Sequence, residues 1–339
     1  MAFGATTTAV PAIRQEYVLR GFKLALEHHI KDEKLLKFVQ SEILDSPRKS
    51  SPISLMSKLT NRGAKIIFGF SSSHEALLTA PIARATDTIL ITSASHDDLS
   101  SFGPNIHSIG VSISEVSKKL TEIISNKYRK PEQKGLLIEK IDSVFSVSFT
   151  KKISNNFNTI NKVSLIKGCL SQDVINSLKT KKYSFLVLSM YPEEASSLML
   201  QLANEKVSLP VFVNHTWSTA DPILVRGYLS EYREPIFTLG YYAPGSRESY
   251  TFEQLAKRKY GSFVLTDMAC GWDHGTIASQ LIQTSYQKTV SIQDAFKSKK
   301  CFEGTTSGKL CFSKTGGFSD RALHFLKYDY DKGFRIAPE

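Results

Sequence analysis

Short apolar runs alternate with helical segments along most of this chain, and that alternation leaves few folds open to it. Ala64-Lys65-Ile66-Ile67-Phe68-Gly69 is a β-branched run ended by glycine, a helix is predicted over Ser73–Ala85, and Thr88-Ile89-Leu90-Ile91-Thr92 is the next strand. The same grammar returns further on. Gly135-Leu136-Leu137-Ile138-Glu139, Val163-Ser164-Leu165-Ile166, Phe185-Leu186-Val187-Leu188-Ser189 and Pro210-Val211-Phe212-Val213 read as strands, separated by predicted helices over Phe149–Asn156, Val174–Lys179 and Pro192–Asn204. Strand and helix in this rhythm predict a parallel sheet with helices on both faces. At 339 residues the chain exceeds what one compact core normally holds, so two such α/β units are expected, each with its own sheet.

The ends of the chain depart from the rhythm. Tyr17–Glu27 and Ser54–Asn61 have helical spacing, the second closed by Arg62-Gly63, where glycine can take the left-handed cap. Lys37-Phe38-Val39-Gln40-Ser41-Glu42 alternates as a strand does. A long helix is predicted over Asp273–Ser285, then a hairpin over Cys301–Phe312, then a polar end rich in Tyr and Lys.

Net charge is +11, which raises the question of nucleic acid. The lysines are dispersed (Lys118, Lys119, Lys151, Lys152, Lys257, Lys259, Lys299 and Lys300 among them), and no arginine-rich stripe with interleaved aromatics accompanies them. A solvated basic surface accounts for them, and nucleic-acid binding is not expected. No run is long enough to span a membrane. Met1–Ile13 lacks the basic start and apolar core of a signal peptide, which leaves a cytoplasmic chain or a mature form whose leader has been removed.

The chain has four cysteines. Cys169 and Cys270 stand in apolar surroundings and are expected as buried thiols. Cys301 and Cys311 are cross-strand neighbours in the predicted hairpin and can bridge if the compartment oxidises. The spacing fits no zinc pattern, and neither metal nor cofactor is expected.

In open parallel sheets, ligands bind outside the carboxyl ends of the strands. Gly69-Phe70-Ser71-Ser72-Ser73-His74 stands at one such end and Thr92-Ser93-Ala94-Ser95-His96-Asp97-Asp98 at the next. Glycine admits close approach, the hydroxyls of Ser72 and Ser73 donate and accept, and the free amides of a helix start favour a carboxylate. One of the serines can equally be a helix cap. A serine hydrolase is the enzymatic alternative, since His74, His96 and Asp97 lie nearby. The segment lacks the Gly-x-Ser-x-Gly of a nucleophile elbow, and no Gly-x-Gly-x-x-Gly follows an early strand, so no enzyme is expected. His28 and His29 read as a solvated pair at a polar helix end.

Taken in order, these segments resemble one family, the type I periplasmic binding proteins, and within it the branched-chain amino-acid-binding receptors of ABC transporters. Phe3-Gly4-Ala5-Thr6-Thr7-Thr8 with Arg20–Leu26 is similar to the family's opening strand, loop and first helix. Ile66–Ser73, Ile89–Ser95 and Phe185–Ala195 are similar to its strand–turn–helix units, Trp272-Asp273 to an aromatic–Asp pair, and Phe302–Phe312 to its terminal hairpin. No single motif is specific; their order over nearly the whole chain is.

The resemblance implies an α/β fold of two lobes, each a parallel sheet with helices on both faces, joined by hinge strands. Residues 1–112 and 240–320 would form the N-terminal lobe, and 113–239 with 321–339 the C-terminal lobe. It implies an extracytoplasmic, monomeric receptor that clamps a small polar ligand (an amino acid, carboxylate or amide) between the lobes and delivers it to an inner-membrane permease. A ligand-sensing domain of the same fold is the alternative. Ser73 matches the serine that holds the ligand carboxylate, with Ser72 beside it, and Ala94 the residue offering a carbonyl. His96 stands where the family usually has Thr, Phe145 where it has Tyr, and Tyr191 matches an aromatic of the second lobe. Amino-acid-binding members grip the ammonium with an acid after the strand matching Pro210–Val213. Here the chain reads Asn214-His215-Thr216-Trp217. Trp217 and Tyr191 therefore suggest an apolar or planar ligand body ahead of a free α-amino acid. The chain starts within the family's first strand, which implies residues upstream, a leader among them.

Overall fold

The computed structural model describes residues 2–4, 12–41, 51–130, 132–157, 160–165, 168–180, 182–219, 222–229, 231–261 and 266–337. Its contacts divide into two units, Met1–Ser112 with Tyr241–Ala322, and Ile113–Gly240 with Leu323–Glu339. The chain thus passes from one to the other at three points, 112/113, 240/241 and 322/323.

The first segment contributes strands β1 (Ala2–Gly4), β2 (Ile66–Gly69), β3 (Ile89–Thr92) and β4 (Ile106–Ser108). Its helices are α1 (Ala12–His29), α2 (Glu33–Ser41), α3 (Pro52–Asn61) and α4 (Ser73–Ala85). The second unit follows with helices α5 (Ile113–Lys127), α6 (Val144–Asn156), α7 (Gln172–Lys179), α8 (Pro192–Asn204) and α9 (Pro222–Leu229). Its strands are β5 (Gly135–Lys140), β6 (Ile160–Leu165), β7 (Phe185–Ser189), β8 (Val211–Val213) and β9 (Ile236–Gly240). The chain then returns to the first unit with α10 (Tyr250–Tyr260), α11 (Thr266–Lys288), α12 (Ile292–Ser298), β10 (Cys301–Thr305), β11 (Gly308–Cys311) and β12 (Gly317–Phe318). It ends in the second unit with β13 (His324–Asp329) and β14 (Gly333–Ile336).

The first unit's sheet has the order β1-β2-β3-β4-β12 and is parallel throughout. β2, β3 and β4 are buried along their whole length, which is why they read as continuous apolar runs instead of alternating. The second unit's sheet has the order β14-β13-β9-β8-β7-β5-β6. It is parallel from β9 to β6, with β13 and β14 added antiparallel at one edge. Leu326 and Tyr328 of β13 are buried while Lys327 and Asp329 are exposed. The Tyr- and Lys-rich end, polar in composition, thus carries a strand's alternation.

Other expectations need correction. Lys37–Ser41 belongs to helix α2 and is not a strand. Asp32 starts the helix, its Oδ1 accepting the N–H groups of Lys34 and Leu35 at 2.9 and 3.0 Å, and Leu35 and Val39 then recur at helical spacing. α11 begins at Thr266, seven residues ahead of Asp273 where the predicted helix starts. Cys169 is exposed, whereas Cys270 is buried as expected. The loop Ala5–Thr8, Ile166 and Glu42 lie outside the described residues.

α1 lies against α11 with almost no space between their backbones. A Cβ on Gly21 would stand 1.9 Å from the Met268 carbonyl oxygen, and one on Gly271 would stand 1.8 Å from that of Val18. Beyond them, Cys301 and Cys311 face each other across β10–β11 and are joined by a disulfide. The hairpin packs Phe312 against His107, whose ring lies between Phe312 and Phe296 at 5.1 and 4.9 Å.

One buried ion pair gathers the first unit's distant segments. Arg321 and Asp273 are bonded with both side chains wholly enclosed. The guanidinium also donates to the Ile109 carbonyl and the Thr306 hydroxyl, each at 2.9 Å, and lies 4.2 Å from the Tyr241 ring centroid. Asp273 accepts in turn from the N–H and hydroxyl of Thr306 at 2.6 and 2.9 Å. Ile109, Tyr241 and Arg321 each stand within a few residues of one of the three crossing points. Removing one partner leaves a buried charge uncompensated, so Asp273→Ala is expected to cost about 3–5 kcal/mol in a urea melt. The double replacement Arg321→Met with Asp273→Leu removes both charges and is expected to cost clearly less. Equal losses for the two would show that the pair's charges carry no weight in the fold.

Candidate ligand site

At the end of β2 the backbone turns sharply, with Phe70 at φ 54°. An aromatic residue rarely adopts this left-handed conformation, and it persists only where the surroundings hold it. They do so here. The Phe70 side chain is buried, and its carbonyl accepts the Thr92 hydroxyl from the end of β3 at 2.7 Å. The turn brings the chain directly into α4.

Ser72 is the N-cap of α4, its Oγ accepting the Glu75 N–H at 3.2 Å. Ser73 is the first residue of the helix, and both serines are buried. Of the pair, Ser72 supplies the expected helix cap, and Ser73 opens the first turn. Neighbouring β3 ends in the turn that carries Ala94 and His96. The Ala94 N–H bonds the Thr92 hydroxyl at 3.1 Å, and its carbonyl accepts from Ser108 at the end of β4 at 2.7 Å. His96 is half-buried and caps the 3-10 turn Asp97–Phe102, its Nδ1 accepting the Asp98 N–H at 3.3 Å. Three adjacent strand ends are thus stitched together by side-chain hydroxyls. Ser72 and His96 act as caps, and His74 is exposed on the helix surface.

The second unit presents the ends of three neighbouring strands in the order β8-β7-β5. β5 leads into α6, capped by Ser143, with Phe145 buried in its first turn. β7 leads to Tyr191, which precedes Pro192 at the start of α8 and is half-buried. β8 leads to Asn214 and the 3-10 turn His215–Thr219. Phe145 has its ring centroid 5.2 Å from that of Tyr191 and 5.6 Å from that of His215. The Glu194 carboxylate accepts the Tyr191 N–H at 2.9 Å and pairs with Lys140 at 3.1 Å.

Trp217 lies elsewhere. Its ring is buried in the second unit's core, and the indole N–H donates to the Met190 carbonyl at 3.0 Å. Asn214 donates to the same carbonyl at 2.8 Å and accepts from the Thr216 N–H at 2.9 Å. Both residues hold the β7 and β8 ends together. His215, which the sequence displays only as a member of the Asn214–Trp217 string, is the residue of that string that meets Phe145.

Buried imidazoles back both sets of strand ends. His274 of α11 packs edge-on to Phe68 of β2 at 5.7 Å. Burial, with the Arg321 charge adding to it, holds its pKa down to about 3. Burial alone holds His215 down to about 4, and burial with the Lys300 charge holds His107 down to about 4.

Comparison with known proteins comes from structure alone. No family model matches the chain, and no curated protein matches it in sequence. The Streptococcus pneumoniae branched-chain amino acid transporter substrate-binding protein LivJ, solved in complex with isoleucine, matches with a TM-score of 0.78 at 15% identity over 99% of both chains. The Thermotoga maritima leucine-binding protein LivK matches with a TM-score of 0.76 at 14% identity, over 96% of this chain and 93% of that one. A solute-binding protein of an ABC transporter from R. palustris, in complex with benzoate, matches with a TM-score of 0.74 at 14% identity, over 99% of this chain and 96% of that one. The chain therefore has the type I periplasmic binding protein fold.

The three buried histidines bind fewer protons folded than unfolded at mildly acid pH, so their contribution is complete above the ordinary 6.5 and falls as pH drops toward about 4. At about 1.4 kcal/mol per pKa unit, each can withdraw on the order of 3 kcal/mol. Urea melts at pH 7, 6, 5 and 4 should show a steep loss. His107→Phe, which fills the space between the two phenyl rings without a titrating nitrogen, should remove that histidine's share of the loss and leave the part due to His215 and His274. A stability unchanged from pH 7 to 4 would contradict neutral burial.

Proposed function

We propose that the chain is a solute-binding receptor of ABC-type transport, a non-catalytic protein that takes a small carboxylate or amide with an apolar part and passes it to an inner-membrane permease. The observation that carries this reading is the whole-length likeness of fold to transporter substrate-binding proteins, at TM-scores of 0.74 to 0.78 over 96–99% of the chain. The chemistry at the strand ends supports it. Ser73 and the first-turn amides of α4 suit a carboxylate, and Ala94 and His96 line the next strand end. Phe145 and Tyr191 of the second unit suit an apolar body.

Isoleucine and benzoate, the ligands of two of the similar structures, represent an α-amino acid and an aromatic acid. The turn after β8 favours the second kind. Its Asn214 is committed to the backbone of β7 and the Thr216 N–H, and a buried ammonium without a carboxylate partner is expensive. The Cys301–Cys311 disulfide supports an extracytoplasmic site of action, since such bonds persist where the surroundings oxidise.

A thermal-shift screen of amino acids, aromatic acids and amides, with native mass spectrometry of the protein as purified, is expected to find an acid or amide that stabilises the chain. Ser73→Ala should then weaken that ligand by about tenfold or more, the cost of losing a hydrogen bond to a charged group. Ser72→Ala should instead cost about 1 kcal/mol of stability as a lost cap. A screen without any stabilising solute, or duplex DNA bound tightly at about 150 mM salt where screening is strong, would overturn the receptor reading.

A further inference from the structure

We infer that the cavity between the start of β9 and the β13–β14 hairpin is a second ligand site, suited to a multiply charged oxyanion: a phosphoryl group or a polycarboxylate. Its volume is about 480 Å³, enough for a small solute, and its walls come from the second unit alone. Pro235 and Ile236 place it at the amino end of β9. The turns carrying Phe145, Tyr191 and His215 follow the carboxyl ends of β5, β7 and β8, which run parallel to β9. The cavity is therefore at the opposite end of this sheet from those turns and shares no residue with them.

Three cations line it, Arg233, Lys327 and Arg335, all exposed. Lys327 and Arg335 stand directly opposite each other in the β13–β14 ladder. Like charges in that position repel and weaken the pairing. Among the described residues, neither side chain has a hydrogen bond or ion pair to relieve the repulsion. The Arg233 guanidinium lies 5.3 Å from the centroid of the Tyr330 ring, whose hydroxyl donates to the Tyr232 carbonyl. Contact with that anchored ring orients the guanidinium and leaves its N–H edge to an anion.

Three carboxylates also line the cavity, so the bonds they already make decide its preference. Asp331 pairs at 3.6 Å with Arg226, a cation outside the lining. Asp329 Oδ1 accepts the N–H groups of Asp331 and Lys332, each at 2.9 Å, and so closes the hairpin's own turn. Glu234 accepts the Ser208 hydroxyl. With Asp331 matched from outside, three cations face two carboxylates, and both of those already hold donors. The donors of Arg233, Lys327 and Arg335 remain for a solute. An oxyanion with two or more charges, seated between Lys327 and Arg335, turns their repulsion into two charge-assisted bonds, of the kind that a guanidinium makes well with phosphoryl or carboxylate oxygens.

Isothermal titration with pyrophosphate, citrate and acetate at about 150 mM salt, where general attraction to a basic chain is screened, tests the site. Pyrophosphate, citrate or both are expected to bind with one-site saturation, and whichever binds more tightly tells a phosphoryl site from a polycarboxylate one. Lys327→Gln and Arg335→Gln are each expected to weaken that binding by about tenfold, the loss of one bond between charged groups. Lys118→Gln removes an equal charge from the exposed surface of α5 and is expected to leave it unchanged. Acetate binding as tightly as the other two, an equal loss in Lys118→Gln, or full affinity in both cavity variants would reduce the effect to general attraction and sink the inference. So would a failure of both pyrophosphate and citrate to bind. Loss of pyrophosphate binding in Ser73→Ala would put the anion at the start of α4, which rejects this site and supports the receptor reading.

Discussion

The enclosed Arg321–Asp273 pair is the interaction on which the first unit's assembly depends. A buried guanidinium is tolerated only when its charge is matched. Here the matching carboxylate comes from α11, and further partners come from Ile109, Thr306 and Tyr241. Those residues are far apart in sequence, and three of the participants stand where the chain is about to leave or has just entered the unit. The cost of burying the charge thus forces the unit's separate segments to converge. The close α1–α11 contact has the same consequence by a different route, because the backbones can approach only where Gly21 and Gly271 carry no side chain.

The strand ends follow a second constraint, that buried polar groups must be paired. In the first unit, Thr92 holds Phe70 and Ser108 holds Ala94. In the second, Asn214 and Trp217 converge on the Met190 carbonyl. These bonds decide which groups at the helix starts are already committed. Ser72 closes the first turn of α4 as its cap. Trp217 is drawn into the second unit's core. Small differences in which side chain closes a turn decide what the turn can offer a ligand.

A parallel α/β architecture was legible from sequence because its physical cause is local. Strands buried on both faces must be apolar along their length, as Ile66–Gly69 and Phe185–Ser189 are, and helices Ser73–Ala85 and Pro192–Asn204 announce themselves by a cap or a proline at the first turn. Where local signals conflict, the pattern misleads. Lys37–Ser41 alternates like a strand over a few residues, yet Asp32 caps a helix and the helix prevails. β13 hides its alternation among tyrosines and lysines, whose long side chains make buried and exposed positions look alike.

The sequence by itself determined the kind of secondary structure, the positions of the strand-end turns, and the polar character of those turns, since these follow from side-chain pattern and backbone chemistry within a few residues. Tertiary structure alone decided which side chains at those turns are already occupied. It joined Arg321 to Asp273 and Ile109, brought His215 to Phe145, and drew Trp217 into the core. Each of these contacts links residues from different strands or segments. Which partner a buried polar or aromatic group finds depends on sheet order and helix packing, and no short stretch of sequence contains that information.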